Sequence, residues 1–181
     1  LVLARDRLGI KPLYWGESGG SVFFASELKA LRAFPDWTPA IDHDALAAYL
    51  RWNYVPSPGS IYRGVGKLMP GQILSCRPGQ QPEIRAYWEL GRHLERGNAE
   101  PRTLSPEAAT EELSELLQTA VRQRLVSDVP LGAFLSGGID SSTVVALMQS
   151  QSNRAVKTFT IGFDDDDYNE ARDAKAVAEH L

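Results

Sequence analysis

The sequence lacks the features that mark several large classes of protein. It has one cysteine in 181 residues, which excludes a disulfide framework and is typical of a reducing compartment. No apolar run approaches the roughly 18 residues of a membrane-spanning helix, and no signal-peptide pattern opens the chain. The net charge of −4 argues against a basic nucleic-acid surface. We therefore expect a cytoplasmic protein with neither a membrane nor a nucleic-acid partner, and an apolar content of 43% is enough for a globular core.

What the sequence does have is a short motif between a predicted strand and a predicted helix, Ser136-Gly137-Gly138-Ile139-Asp140-Ser141-Ser142. The apolar run from Val129 to Leu135 predicts a buried strand, and residues 143–148 predict a helix. Glycines let a backbone turn tightly near a ligand, and the free N–H groups of a first helical turn attract anions. The three serine hydroxyls are further donors. The motif indicates a cradle for nucleotide phosphates, since a ligand-free capped turn needs only one capping residue.

The motif also lacks a lysine, and this narrows the kind of cradle. A Walker loop places a lysine after its second glycine, whereas no lysine lies between Arg124 and Arg154. The G-x-G-x-x-G spacing of dinucleotide-binding folds is missing as well. At every motif position the segment resembles the S-G-G-x-D-S-[ST] loop of the ATP pyrophosphatase (PP-loop) superfamily. That resemblance implies cleavage of ATP between the α- and β-phosphates, with adenylation of a substrate oxygen and release of pyrophosphate.

A second strand and helix follow the motif. Phe159, Ile161 and Phe163 alternate as in a strand, and the apolar residues of 171–181 recur as on one helix face. Short connections between such units predict a parallel α/β sheet, in which ligands bind beyond the carboxyl ends of the strands. Leu-Ser-Gly-Gly-x-Asp-Ser-Ser, followed by Thr-Phe-Thr-Ile-Gly-Phe and Tyr-Asn-Glu-Ala-Arg, is similar to glutamine-hydrolysing asparagine synthetases.

This second resemblance implies a role for each matching position. It assigns the adenine side of ATP to Leu135 and Ile161. It assigns the pyrophosphate to the loop from Ser136 to Ser142, and it places Asp140 near a magnesium ion. The site residues that we expect to bind ATP are Leu135, Ser136, Gly137, Gly138, Asp140, Ser141, Ser142 and Ile161.

The first half of the chain resembles the closing part of the N-terminal-nucleophile glutaminase domain of the same synthetases. Residues 5–15 predict a strand, a charged turn and a second strand, residues 21–31 predict a strand that leads into a helix, and Asp42 is suited to cap a further helix. We expect an α/β protein. Residues 1–92 are the C-terminal part of a glutaminase α+β sandwich, 93–104 are a polar linker with no apolar period, and 105–181 are the first part of a parallel-sheet PP-loop ATP pyrophosphatase domain.

No catalytic residue is predicted within this chain. A glutaminase of this class needs an N-terminal cysteine whose α-amino group acts as the base, but residue 1 is Leu1 and the single cysteine is Cys76. Cys76 has no histidine nearby in sequence, which favours a packing role over a nucleophilic one. The chain has no initiator Met and stops within an apparent α/β repeat. These features predict an internal fragment of a longer protein, inactive by itself.

The predicted function is that of an ATP-dependent amide ligase. By the resemblance, ATP with Mg²⁺ activates aspartate as an acyl-adenylate, and ammonia from glutamine then converts it to asparagine. Aspartate, glutamine and ATP are the expected small-molecule partners, and a homodimer is an expected assembly. Two alternatives stay open: a related amidotransferase for another carboxylate, such as that of a polysaccharide precursor, and a non-catalytic nucleotide-binding module.

Other charged and aromatic residues have a structural interpretation beside the functional one. Asp164 to Asp167 either help to bind magnesium or form a solvated loop before a helix. Arg122 and Arg124 face either phosphate or solvent. The three histidines show no metal-ligand spacing, and the four tryptophans favour packing. Ser105, followed by Pro106, is suited to start a helix with one buried apolar face, from Leu113 to Leu125.

Overall fold

The structure is a computed structural model that describes residues 1–165 and 169–181. The chain divides into two compact units, Leu1–Pro101 and Arg102–Leu181. The division falls within 93–104, the predicted linker, while the predicted domain limits themselves stay predictions. Helices and strands occur in both units, in agreement with the expected α/β class.

The first unit contains two antiparallel three-stranded sheets and three helices. Its elements are β1 (Val2–Ala4), β2 (Tyr14–Ser18), β3 (Ser21–Ala25), α1 (Leu28–Leu31), α2 (His43–Trp52), β4 (Val65–Lys67), β5 (Gln72–Ser75), β6 (Glu83–Ala86) and α3 (Leu90–Ala99). The strand orders are β1-β5-β6 and β3-β2-β4. Gly19 and Gly20, at φ +57° and +74°, make the two-residue turn between β2 and β3, which needs positive φ at both positions.

Each sheet of the first unit carries its own apolar cluster. Leu3, Leu68 and Leu74 form one, and Cys76 packs against it, which agrees with the packing role expected for this cysteine. Phe23, Leu31 and Val65 form the other. Trp37 joins the second cluster, with its ring 5.2 Å from that of Phe23 and 5.4 Å from that of Tyr62.

The helix α2 starts where the sequence predicts. The Asp42 carboxylate accepts hydrogen bonds from the backbone N–H groups of Asp44 at 3.0 Å and Ala45 at 3.1 Å, and Asn53 ends the helix in the left-handed conformation at φ +59°. None of the side chains of α2 is fully buried. The helix therefore presents apolar side chains such as Tyr49 and Trp52, both about half exposed, at the surface of its unit.

The described residues of the second unit form two parallel strands and three helices. Its elements are α4 (Pro106–Arg124), β7 (Gly132–Phe134), α5 (Ile139–Ser150), β8 (Lys157–Phe159) and α6 (Ala171–His180). In the register of the two strands, Phe134 lies opposite Phe159. Leu135, Val145 and Ala174 form the core cluster, with 2–3% of each residue exposed. Because these three residues come from the end of β7, from α5 and from α6, the core holds both helices against the end of the strand.

The first part of the predicted linker 93–104 is helical, since α3 covers residues up to Ala99. Local contacts support this helix. Glu89 pairs with Arg92, the ring of Trp88 stacks on that of His93 at 5.1 Å, and Arg96 lies 3.9 Å from Glu100. The two ion pairs join residues three and four apart, a spacing that stabilises a helix without any buried face. An apolar period in the sequence therefore does not reveal this helix.

The buried strand predicted over Val129–Leu135 is shorter and more exposed than expected. Only Gly132–Phe134 is strand, and Phe134 is 79% exposed. The second predicted strand is likewise reduced to Lys157–Phe159, with Phe159, Ile161 and Phe163 each more than half exposed. Among the described residues each strand has one neighbour in its sheet. A two-stranded sheet leaves much of its apolar surface uncovered.

Ser105 starts α4 as predicted: its hydroxyl accepts the N–H of Ala108 at 3.2 Å, and Pro106 takes the first helical position. The buried apolar face is confirmed only in part. Val121 is 8% exposed, whereas Leu113 and Leu116 are 56% and 61% exposed. The buried end of α4 is the end that meets α5. No described helix is both long enough and apolar enough to cross a membrane.

Candidate functional site

The Ser136–Ser142 motif lies where β7 ends and α5 begins. Gly137 adopts φ +84°, a conformation that side chains other than that of glycine rarely take. Gly138, at φ −71° and ψ 161°, is the residue that precedes the helix. The two glycines thus have different roles: Gly137 allows the chain to turn, and Gly138 is the N-cap residue of α5.

Gly137 also lies directly against α6. A Cβ atom at this position would come within 2.7 Å of Asp173 Cβ and 2.9 Å of the backbone N of Ala174. Both distances are shorter than van der Waals contact between these atoms allows. The first turn of α6 therefore packs directly against the loop at Gly137. The motif by itself does not reveal this role of Asp173 and Ala174.

Two serine hydroxyls hold the loop in shape. The hydroxyls of Ser136 and Ser141 lie 2.9 Å apart. The Ser141 hydroxyl accepts the backbone N–H of Ser136 at 3.2 Å and donates to the carbonyl of Gly138 at 3.2 Å. The Ser136 hydroxyl accepts the N–H of Gly138 at 3.3 Å. This network joins the residue before the glycines to the first turn of α5.

The first turn of α5 keeps free donors. The first N–H to bond within the helix is that of Ser142, which donates to the carbonyl of Gly138 at 3.0 Å. Within the described part of the chain, the N–H groups of Ile139, Asp140 and Ser141 have no acceptor. Free N–H groups together with the helix dipole favour an anion at this point. The geometry is thus that of an anion-binding turn.

Ser142 stands apart from the other two serines. Its Oγ atom is buried and has no hydrogen-bond partner among the described residues. A buried hydroxyl without a hydrogen-bond partner costs free energy of folding, so Ser142 is the residue of the motif whose hydrogen bonding is least satisfied. That Ser142 binds ATP stays a prediction.

The two residues expected beside the adenine have opposite environments. The Leu135 side chain is 2% exposed and belongs to the core, whereas Ile161 is 67% exposed. Two hydrogen bonds link the segments that follow the two strands: the Leu135 N–H donates to Phe159 O at 3.0 Å, and the Thr160 hydroxyl donates to Leu135 O at 2.7 Å. Thr160, which is not among the predicted site residues, thus joins the ends of β7 and β8.

Asp140 is the carboxylate that the sequence leads us to expect near a magnesium ion. It lies exposed in the first turn of α5. Mg²⁺ is commonly bound by one or two carboxylates together with phosphate oxygens of the substrate, and Asp140 fits that role. Among the described residues no group of three or more His, Cys, Asp or Glu side chains is suited to hold a metal. Asp166 and Asp167, two of the four residues of the predicted acidic loop, lie outside the described residues.

Of the two arginines near the end of α4, Arg122 does not face the loop. Arg122 Nε donates to the Gln151 side chain at 3.2 Å, and Arg124 donates to Ala120 O at 3.0 Å. Gln151 follows the last residue of α5, and a helix of 12 residues is about 18 Å long. Arg122 is therefore at the far end of α5 from the glycines, and the phosphate-facing alternative for this residue is wrong.

Comparison with known proteins finds a family match for each unit. Residues 1–88 match the glutamine amidotransferase domain family, and residues 112–181 match the asparagine synthase family. Over 98% of its length the chain is 39% identical to a putative asparagine synthetase (glutamine-hydrolyzing) 2 of Methanocaldococcus jannaschii, of which it covers 34%. It is 34% identical, again over 98% of its length, to asparagine synthetase (glutamine-hydrolyzing) 1 of Bacillus subtilis, of which it covers 27%.

A relative with a different printed name also matches. The chain is 33% identical, over 92% of its length, to a Penicillium rubens protein named amidase chyE, of which it covers 26%. The chain thus spans about a quarter to a third of the length of these relatives.

Proposed function

Because the chain belongs to the family of glutamine-hydrolysing asparagine synthetases, with an amidotransferase part at 1–88 and a synthase part at 112–181, we propose that the protein makes asparagine. In the proposed reaction a side-chain carboxylate oxygen of aspartate attacks the α-phosphorus of ATP and displaces pyrophosphate. Ammonia then attacks the acyl carbon of the adenylate, and AMP leaves.

One observation carries the proposal: the anion-binding turn formed by Gly137, Gly138 and the first turn of α5. When pyrophosphate leaves, it gathers negative charge, and preorganised N–H donors stabilise such charge without further reorganisation. Free N–H groups at Ile139, Asp140 and Ser141 are suited to that task. Mg²⁺ held by Asp140 and the phosphates would neutralise part of the same charge.

The ammonia is proposed to come from glutamine, through the amidotransferase part. None of the residues of this chain is proposed as the glutaminase nucleophile. Cys76 is partly buried against the Leu3, Leu68 and Leu74 cluster, and such a thiol behaves as a small apolar side chain. A cytoplasmic location and a homodimer belong to the same proposal; the single cysteine is consistent with the former.

Exchange of labelled pyrophosphate into ATP by the full-length protein tests the activation step. We expect exchange that depends on aspartate and does not occur with glutamate. Ser141→Ala removes the hydroxyl that joins Ser136 to Gly138. Because the loop then orients its donors less well, we expect the exchange rate to fall about 10- to 100-fold, which corresponds to a rise of roughly 1.4–2.7 kcal/mol in the activation free energy. Exchange without any added carboxylate, or no exchange with any of them, would contradict the mechanism.

A matched control is available on the same helix. Ser150 lies in the last turn of α5, and its hydroxyl bonds only to Leu147 O, at 3.0 Å. Ser150→Ala is expected to leave the exchange rate unchanged. Equal losses in the two variants would show that the effect of Ser141→Ala is a general weakening of α5 and not a loss of the loop.

The relatives named amidase favour a second candidate, an amidotransferase that acts on a different carboxylate. The loop chemistry is the same in both, so only the acceptor differs. Exchange that is silent with aspartate but active with another carboxylic acid would select this candidate. Tight ATP binding by calorimetry with no exchange for any acid would instead indicate a nucleotide-binding module.

A further inference from the structure

The first unit contains a cavity that the proposed ligase chemistry does not use. Its volume is about 540 Å³, and it lies between β2, β4, α2 and the chain segment that follows α2. Most of its wall is aromatic or aliphatic, including Tyr14, Leu46, Tyr49 and Tyr54. Cavities of this size with an apolar lining and a few polar groups are typical of small-molecule sites.

The cavity contains one cation, Lys67. Its ammonium donates to the carbonyl of Val55 at 2.6 Å, which uses one of its three donors. Within the part of the chain that the structure describes, no carboxylate lies within ion-pair distance of this ammonium. Partial burial, together with the positive charge of Arg5, lowers the pKa of Lys67. A half-buried cation without an anionic partner is unfavourable, and an anion would relieve it.

The other polar groups of the cavity also suit an anion. The hydroxyls of Tyr14, Tyr49 and Tyr54 have no hydrogen-bond partner among the described residues, while the Ser60 hydroxyl is satisfied by the backbone of Tyr62. Tyrosine offers an apolar ring and a donor on one side chain. The lining thus combines three tyrosine hydroxyls and one cation with a large apolar wall, and none of the described residues that line it is acidic.

We propose that this cavity binds a small organic carboxylate with an apolar or aromatic body, whose carboxylate pairs with Lys67 and whose body packs on Tyr14, Leu46 and Tyr49. Charge complementarity selects the carboxylate, because the lining supplies a cation and hydroxyl donors. The apolar wall selects the body. This inference does not depend on the proposed ligase activity.

The test uses the full-length protein and two ligands of the same shape, 3-phenylpropionate and its neutral amide, 3-phenylpropanamide. Calorimetry measures both affinities in the absence of ATP. We expect the carboxylate to bind about 10- to 100-fold more tightly than the amide, the usual range for a charge-assisted hydrogen bond. Equal affinities, or no binding of either compound at millimolar concentration, would overturn the proposal.

Variants assign the preference to Lys67. Lys67→Met keeps a long apolar side chain without the charge, and we expect it to bind both ligands with the affinity of the amide. Lys11→Met, which removes an exposed lysine of the same unit, is the matched control and should keep the preference. If Lys67→Met does not show a normal unfolding transition, Lys67→Gln replaces it, because Gln keeps an N–H donor for Val55 O. A preference for the carboxylate that survives without the Lys67 charge would also refute the assignment.

Discussion

Replacement of Gly137 by alanine is the sharpest test of the loop geometry. Gly137 has φ +84°, where an L side chain costs about 1–2 kcal/mol. The new Cβ would also stand 2.7 Å from Asp173 Cβ and 2.9 Å from Ala174 N. Ala174 is 2% exposed, so α6 has little room to retreat. Overpacking of this kind costs about 1–3 kcal/mol.

The backbone strain and the overpacking both destabilise the folded state, and a smaller effect on the unfolded state opposes them. Alanine restricts the unfolded chain more than glycine does, which returns about 0.4–1 kcal/mol to the folded state. We therefore expect Gly137→Ala to lower the free energy of unfolding by about 2–4 kcal/mol, measured by urea denaturation of the full-length protein. Because the loop must shift away from α6, pyrophosphate exchange is expected to fall by more than about tenfold as well.

The neighbouring glycine is the matched control. Gly138 has φ −71°, and a Cβ there would meet Ser136 Oγ at 3.4 Å, which is an ordinary contact. Gly138→Ala is therefore expected to change the free energy of unfolding by less than about 1 kcal/mol. If the two variants lose the same stability, the strain assigned to Gly137 does not exist and the described packing of the loop on α6 is wrong.

Three further predictions concern the framework around the two candidate sites. Leu74 is fully buried, so Leu74→Ala should lower the free energy of unfolding by about 2–5 kcal/mol in urea, whereas a loss below about 1 kcal/mol would contradict its core position. Ser105 accepts the N–H of Ala108, so Ser105→Ala should cost about 1 kcal/mol, and Ser105→Asp should restore it. The backbone N–H of Ile10 lowers the pKa of Asp6 below its ordinary 3.8. A carboxyl group whose pKa is lowered by folding stabilises the fold at every pH above its ordinary pKa. This stabilisation is lost as the pH falls through the lower pKa of the folded state. The melting temperature of the wild type should therefore exceed that of Asp6→Asn at neutral pH, and the two melting temperatures should converge below about pH 3.8. A difference that stays constant with pH would refute the role of the charge.

Local signals in the sequence were sufficient to predict where several elements begin. The Asp42 and Ser105 caps are confirmed, because each side chain bonds to an N–H only two or three residues away. The glycine pair at 137–138 likewise occurs at a strand-to-helix turn, as expected. Capping and tight turns depend on neighbours in sequence, so a single sequence contains the information.

Burial was harder to predict than element type. The apolar runs before and after α5 indicated buried strands, yet Phe134 and Phe159 are 79% and 57% exposed. Both side chains belong to a sheet with two strands among the described residues. How much of a strand is covered depends on which other elements pack on it, and an apolar pattern does not contain that information.

For this protein the sequence alone predicted the chemistry of the loop: two glycines, three serines and an aspartate without a lysine indicate a phosphate cradle, and their order resembles the ATP pyrophosphatase loop. Only the tertiary structure showed that α6 packs against Gly137 and that the hydroxyls of Ser136 and Ser141 pair. It also showed that, among the described residues, the Ser142 hydroxyl is buried without a partner and Lys67 has no carboxylate beside it in its apolar cavity. The reason is physical: a residue type sets what a group can donate, accept or allow, whereas its neighbours come from distant parts of the chain and are decided by packing.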